Sequence, residues 1–343
     1  MNSKIIEIIA HALGIRTGQV SNTIALLDEG ATVPFISRYR KERTGSLDEV
    51  QVLNIKEQHE KYAELEKRKE TILKTIGEQE LLTPELKNRI ENCFDVVELE
   101  DIYLPYKPKK RTRATIAREK GLEPLAKIMM KQLERSLENR AASFLNDQVA
   151  SVEDALAGAR DIVAEWISES EKARNIVRRG FEQDAVIYSK VIKGKEEEAA
   201  KYRDYFDWKE SLRKCASHRL LAMRRGENEG FLRVSIEPDA DKILTHLNRF
   251  FVTGLNSCAD HVELAVKDSL KRLIQPSIET EFAALSKERA DEEAIRVFAE
   301  NIRQLLLAPP LGQKRVLAID PGYRTGCKVV CLDEQGNLLH NET

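Results

Sequence analysis

VPFISRYRKERTGSLDE, residues 33–49, holds four basic side chains, Arg38, Arg40, Lys41 and Arg43, against a single acid, Glu42, before Ser46. Val33, Phe35, Ile36 and Tyr39 recur at a spacing that fits one short helix face, which turns the arginines elsewhere. Gly45 interrupts that helix, and Ser46-Leu47-Asp48-Glu49 has the composition of a capping box that starts the next. The stretch therefore reads as a helix–break–helix corner. Guanidinium groups on the outside of such a corner suit phosphate oxygens, because Arg presents a planar fork of donors. The alternative is that the same arginines form internal ion pairs at a helix junction.

Working outward, the chain is helical on both sides of this corner. KIIEIIAHAL, residues 4–13, is an amphipathic helix closed by Gly14, and Thr17 is placed to cap a second helix that ends near Gly30. With the basic helix this makes a helix-turn-helix-like triplet, a grouping common without any role in DNA binding. On the other side, one helix of roughly nine turns runs from the Ser46 cap to about Glu80. Thr83-Pro84-Glu85 opens a return helix through Leu86, Ile90 and Phe94, which predicts a long helical hairpin.

Two opposed charge blocks follow. ENCFDVVELED, residues 91–101, has five acids and no base, and KPKKRTR, residues 107–113, has five bases and no acid. Between them stand Tyr103 and Tyr106, on either side of Pro105. Pro105 and Pro108 prevent a continuous helix, so Lys107, Lys109, Lys110, Arg111 and Arg113 are expected on an exposed loop. Basic side chains interleaved with tyrosines suit a nucleic-acid backbone and its bases. The competing expectation is that the block folds back on the acidic run.

Composition narrows the class. Charged residues are 33% and hydrophobic residues 42%, with only 16 Gly and 10 Pro in 343 residues, a helix-leaning balance. Lys+Arg 55 against Asp+Glu 57 leaves a net charge of −2, so nucleic-acid affinity has to come from local patches. No apolar run approaches the roughly 20 residues of a membrane span, which points to a cytoplasmic protein without membrane contact. Five scattered cysteines lack metal-ligand spacing, so neither a disulfide framework nor structural zinc is expected. Phosphate-cradling Gly loops, a Ser/His/Asp arrangement and an HExxH helix are missing, and no cofactor is implied.

Helical patterns resume after Arg113. AVIYSKVIKGKEEEA, residues 185–199, fits helix or strand, with a boundary near 195–205. KYRDYFDWKESLRKCASHRLL reads as the start of a second helical block, in which FLRVSI is the only strand-like run. Residues 241–307 read as helical with an interruption at Pro276. Pro309-Pro310 is a hard boundary, after which KRVLAID, CKVVCLD and LLHNE are three strands joined by turns at PGYRTG and EQGN. The expected division is 1–200, 201–310 and 311–343.

Taken together, ATVPFISRYRKERTGSLDE, DIYLPYKPKKRTRATIAREKGLEPLA, KYRDYFDW, SHRLLAMRRGENEG, ERADEEAIRVFAENIRQLLLAPP and KRVLAIDPGYRTGCKVV give the chain a resemblance to the Tex (YhgF-like) transcription accessory proteins over nearly its whole length. The resemblance implies a nucleic-acid-binding factor with a helical amino-terminal body, a YqgF-type RNase H-like domain, helix-hairpin-helix elements and a terminal OB-fold that binds RNA. This sequence is expected to hold the helical body and only the opening strands of the YqgF-type α/β domain. Asp320 of DPGYRTG matches the first acidic position of RNase H-like nucleases, whose carboxylate clusters hold divalent metals. One carboxylate does not make such a centre.

The expected fold is thus mainly α, a multi-helix body with a long hairpin, followed by the first strands of an RNase H-like domain. The leading functional reading is a non-enzymatic factor that binds RNA or DNA with little sequence preference and serves the transcription machinery. The alternatives are a metal-dependent, structure-specific nuclease cut short, or a helical scaffold for proteins.

Overall fold

The computed structural model describes residues 3–322 and 326–343. By packing, the chain divides into two units, one of residues 1–185 and 238–280 and one of 186–237 and 281–343. Chain order and packing order therefore differ: residues 186–237 leave the first unit and the chain then returns to it. The contiguous division at 200 and 310 follows sequence texture rather than these contacts.

The first unit opens with α1 (Ser3–Leu13), α2 (Thr17–Asp28), α3 (Val33–Tyr39) and the single turn α4 (Lys41–Thr44). These bury Ile5, Ile9, Val20, Ile24, Leu26 and Ile36 against Val52 and Ile55 at the start of α5 (Glu49–Glu78). Thr17 is the first residue of α2 rather than its cap, a place taken by Arg16. The cap of α5 is also shifted: Asp48 Oδ1 accepts from Gln51 N at 2.8 Å and Gln51 answers on Asp48 N at 3.1 Å. Ser46 cannot cap because it follows Gly45 into the left-handed region, with φ of 62° after 65°.

The far half of α5 carries a second core, Leu65, Ile72 and Ile76, shared with α6 (Pro84–Glu91) and α7 (Val96–Tyr103). The hairpin forms as expected at its turn, where Thr83 Oγ1 accepts from Leu86 N at 3.2 Å. Its return helix stops at Glu91, and Asp95 caps α7 as a separate helix. Lys69, only 2% exposed, donates to the Glu91 carbonyl at 3.0 Å and so ties α5 to that stop.

The rest of the unit is built on α11 (Val152–Ser168), buried along Ala155, Leu156, Ala159, Ile162, Val163 and Ile167. Around it lie α8 (Arg113–Glu119), α9 (Glu123–Lys131), α10 (Leu137–Ala141), α12 (Glu171–Asp184), α14 (Ala240–Phe251) and α15 (Ser257–Asp268). Gly158 admits Leu122, the residue before α9, closely: a Cβ there would lie 2.4 Å from Leu122 Cδ1. Asp101 of α7, 4% exposed, accepts from Arg174 Nε at 2.6 Å and Arg178 Nη1 at 2.5 Å, locking α7 to α12.

The second unit settles one open sequence reading and corrects another. AVIYSKV resolves as strand β1 (Val186–Val191), and DWKES, expected as helix, is strand β2 (Asp207–Ser211). With β3 (Leu232–Glu237) they form an antiparallel sheet of order β2-β1-β3, backed by α13 (Ser217–Asn228). Period two wins because Trp208 and Glu210 turn to one side together, where Trp208 Nε1 donates to Glu210 at 2.9 Å. Pro276 does not break the helical path. A π-helical stretch, Ser269–Ile274, precedes α16 (Gln275–Leu306) and absorbs the missing donor. After Pro309-Pro310, β4 (Val316–Gly322), β5 (Gly326–Leu332) and β6 (Leu338–Glu342) form the expected antiparallel meander. Of the PGYRTG turn, Tyr323–Thr325 lie outside the described residues.

Candidate nucleic-acid interface

Two basic stations stand on the first unit, one at each end of α5. The first is the 33–44 corner. Gln19 Nε2 donates to the carbonyls of Thr44 and Gly45, both at 3.1 Å, and Asn22 Nδ2 to Arg43 O at 2.8 Å, so α2 holds the corner in place. Val33, Phe35, Ile36 and Tyr39 do not share a buried face: only Ile36 is fully buried, while Phe35 is 39% and Tyr39 64% exposed. The two rings pack 5.6 Å apart, and the Arg40 guanidinium lies 4.9 Å from the Phe35 centroid. Aromatics and cations thus share the outer surface, contrary to the expected segregation, because the seven-residue helix turns Ile36 and Ser37 inward and leaves Phe35 and Tyr39 outside.

The internal-pairing alternative holds for Arg43, which pairs with Glu29 at 3.4 Å. Arg38 makes a long, exposed pair with Glu49 at 3.9 Å, a contact of small worth. Lys41 has no ion pair or side-chain hydrogen bond among the described residues, and Arg40 donates only to the neighbouring Tyr39 carbonyl at 2.9 Å.

The second station is the 107–113 loop. Tyr103 is corrected here: it is 5% exposed, packed in the α5–α7 core with the Arg68 guanidinium 5.3 Å from its ring, and is not available to stack a base. Tyr106 is half-buried, and its carbonyl accepts from Gln79 Nε2 at 2.9 Å. Nor are the five cations equivalent. Lys109 is pinned to α11, pairing with Glu165 at 3.3 Å and with Glu169. Arg111 pairs with Glu119 at 2.9 Å. Lys107, Lys110 and Arg113 are exposed and make no ion pair or side-chain hydrogen bond among the described residues. The acidic run does not receive this block: Glu100 pairs with Arg68 at 2.6 Å and Asp101 with the α12 arginines.

Burial raises the Glu165 carboxyl, but the hydrogen bond from Arg118 and the charge of Lys109 outweigh it and hold it below the ordinary value. At Glu169 burial wins and the carboxyl is raised.

The stations do not merge into one patch. Arg38 sits at the first residue of α5 and Tyr106 at the residue after its last, and thirty residues of helix separate them by about 45 Å. A polyanion contacts both only by running the length of α5.

Asp320 is exposed on β4, opposite Lys328 of β5. Among the described residues no three His, Cys, Asp or Glu side chains are grouped to hold a metal ion, and no helix is long and apolar enough to cross a membrane. Cys215 is buried, and burial pushes its thiol up to about 12, far from a reactive thiolate.

Family models match in chain order: the Tex-like protein N-terminal domain over residues 3–77, the Tex central region-like model over 133–298 and the Tex protein YqgF-like domain over 314–343. Transcriptional accessory protein Tex of Neisseria gonorrhoeae is 41% identical over 98% of this chain and 45% of its own length. Protein YhgF of Escherichia coli (strain K12) is 42% identical over 100% of this chain and 46% of its own. S1 RNA-binding domain-containing protein 1 of Homo sapiens is 27% identical over 100% of this chain and 36% of its own. The chain thus spans less than half the length of these relatives.

Proposed function

The chain belongs to the Tex-like family, and on that premise we propose that it is a nucleic-acid-binding factor that serves transcription, gripping phosphate backbones at two stations without catalysis by residues 1–343. The observation that carries this reading is the cluster of exposed Phe35 and Tyr39 with the half-buried Arg40, and Arg38 and Lys41 beside it. Large aromatic rings left outside a core, among cations lacking strong partners, suit a ligand with both planar bases and phosphates. Lys107, Lys110 and Arg113 supply a second set of phosphate contacts about 45 Å away. Contacts of this kind position a strand and carry little sequence information. The names of the relatives, a transcriptional accessory protein and an S1 RNA-binding domain protein, agree with this chemistry. Partners in the transcription machinery and a cytoplasmic location belong to the same proposal.

The test is binding of labelled single strands, RNA and DNA, by fluorescence anisotropy. Replacing Phe35 and Tyr39 by Ser and Arg40 by Gln should weaken both at least 10-fold, since stacking on one ring is worth about 1–3 kcal/mol. None of the three side chains is buried, so the fold is expected to stay intact. Unchanged affinity in that variant, with an unchanged melting curve, removes the first station from the proposal.

A further inference from the structure

A cleft between α12 and α14, remote in sequence from both stations, has the makings of a site that the function above does not use. We propose that it binds one nucleotide of a single strand, with the phosphate on Arg179 and Arg249 and the base on Phe250. The inference rests on the nucleic-acid reading and narrows it to a strand whose bases are free.

Both walls are single helix faces. On α14, Lys242, His246, Arg249 and Phe250 recur at i, i+4, i+7 and i+8; on α12, Ile176, Arg179, Gly180 and Gln183 do the same at i, i+3, i+4 and i+7. The helices meet closely at Gly180, where a Cβ would lie 2.5 Å from Ile243 Cδ1. The space lined by these faces is about 410 Å³, within the range of small-ligand sites. That admits one nucleotide.

The charges are sorted along it. At one end Lys242 pairs with Asp184 at 3.0 Å and Asp239 at 3.6 Å, so the acids of the cleft already have a cation. Arg179 and Arg249 have no ion pair or side-chain hydrogen bond among the described residues, and both are exposed. Two unengaged guanidiniums on facing helices form a natural seat for a phosphate. Phe250 is 44% exposed although large and apolar. It is held edge-on against the buried Phe251, 4.8 Å between centroids at 87°, and the Lys172 ammonium lies 5.0 Å from its ring. A ring fixed in place beside cations is a stacking platform for a base. An acidic peptide would use the guanidiniums but leave the ring without a purpose.

The experiment uses the full chain with photoreactive RNA and DNA tetranucleotides, read by anisotropy and by mapping the crosslinked peptides. A crosslink on the α14 peptide holding Phe250 is expected, and it should disappear in Phe250→Leu and in Arg179→Gln/Arg249→Gln. The arginine pair should also cut affinity for the tetranucleotide roughly 10-fold and lower its salt slope by about 0.7, the share of the one phosphate the two guanidiniums hold. The RNA and DNA arms show which backbone the cleft prefers. If crosslinks map only to the 33–44 corner and the cleft variants bind as well as the parent, the cleft proposal is overturned while the function stands. If a poly-glutamate peptide displaces the strand from the cleft at equal charge, the site is one for acidic protein and the proposal also fails. Loss of all crosslinks and all binding in the parent protein overturns the function itself.

Discussion

Lys109→Gln separates the structural part of the basic loop from its binding part. Lys109 crosses from the loop to α11, where it neutralises Glu169 and shares Glu165 with Arg118, which approaches to 2.7 Å. After the substitution Glu165 keeps Arg118 and the Thr112 hydroxyl at 3.0 Å, whereas Glu169, with a side chain only 12% exposed, loses its ion pair and keeps only the more distant charge of Arg118. Breaking a fully buried pair costs about 3–5 kcal/mol. Lys109 is itself 28% exposed, so a loss of about 1–3 kcal/mol is expected. Lys107→Gln/Lys110→Gln/Arg113→Gln should change stability by less than about 0.5 kcal/mol. Urea unfolding followed by Trp166, beside Glu165 on α11, in a Trp208→Phe background reads this difference. The pH dependence has a definite sign. Glu169 is already raised by burial, and losing Lys109 raises it further, so the unpaired charge is a penalty present above its folded pKa. The deficit of the variant should be full near neutral pH and fade as pH falls and Glu169 protonates. A deficit that does not depend on pH, or one equally large in the triple variant, would refute the assignment of Lys109 as the structural cation.

Three further outcomes follow from other sites. Asp101→Asn strips the charge facing the buried Arg174 and the half-buried Arg178 and should destabilise the first unit by about 3–5 kcal/mol in the same urea assay. Glu210 is held below its ordinary value of 4.5, first by the Arg219 hydrogen bonds at 2.8 and 3.0 Å, so it contributes stability above pH 4.5 that is lost as pH falls through its folded pKa. Trp208 fluorescence should therefore show a steeper acid loss of stability in the parent than in Glu210→Gln. Residues 1–343 should show no Mg²⁺- or Mn²⁺-dependent cleavage of branched, duplex or single-stranded substrates, and cleavage abolished by Asp320→Asn would overturn the non-enzymatic proposal.

The helical corner and the hairpin were legible because glycine, proline and cap residues mark their ends in the sequence itself. Gly45 stops a helix and Thr83-Pro84 starts one whatever surrounds them. The cap of α5 was misplaced by two residues because nothing local announces that Ser46 joins Gly45 in the left-handed region. β2 was hidden because DWKES is polar on both faces, and its strand state comes from pairing with β1, a long-range fact. Beside Pro105 and Lys107 the sequence gives Tyr103 no sign of burial, yet it ends a helix packed in the α5–α7 core. The basic block read as one surface, but which of its cations are engaged depends on Glu165 and Glu169, more than fifty residues away. The α12–α14 cleft had no sequence signal at all, since its walls meet only in the folded unit.

The central claim is tested most directly by the slope of log affinity against log salt, for a single strand long enough to span the roughly 45 Å between stations. Neutralising Arg38, Arg40, Lys41, Lys107, Lys110 and Arg113 to Gln removes up to six phosphate contacts, each contributing about 0.7. The account predicts a slope shallower by about 4 with an unchanged melting curve. A slope equal to that of the parent, in a variant that remains folded, would contradict it.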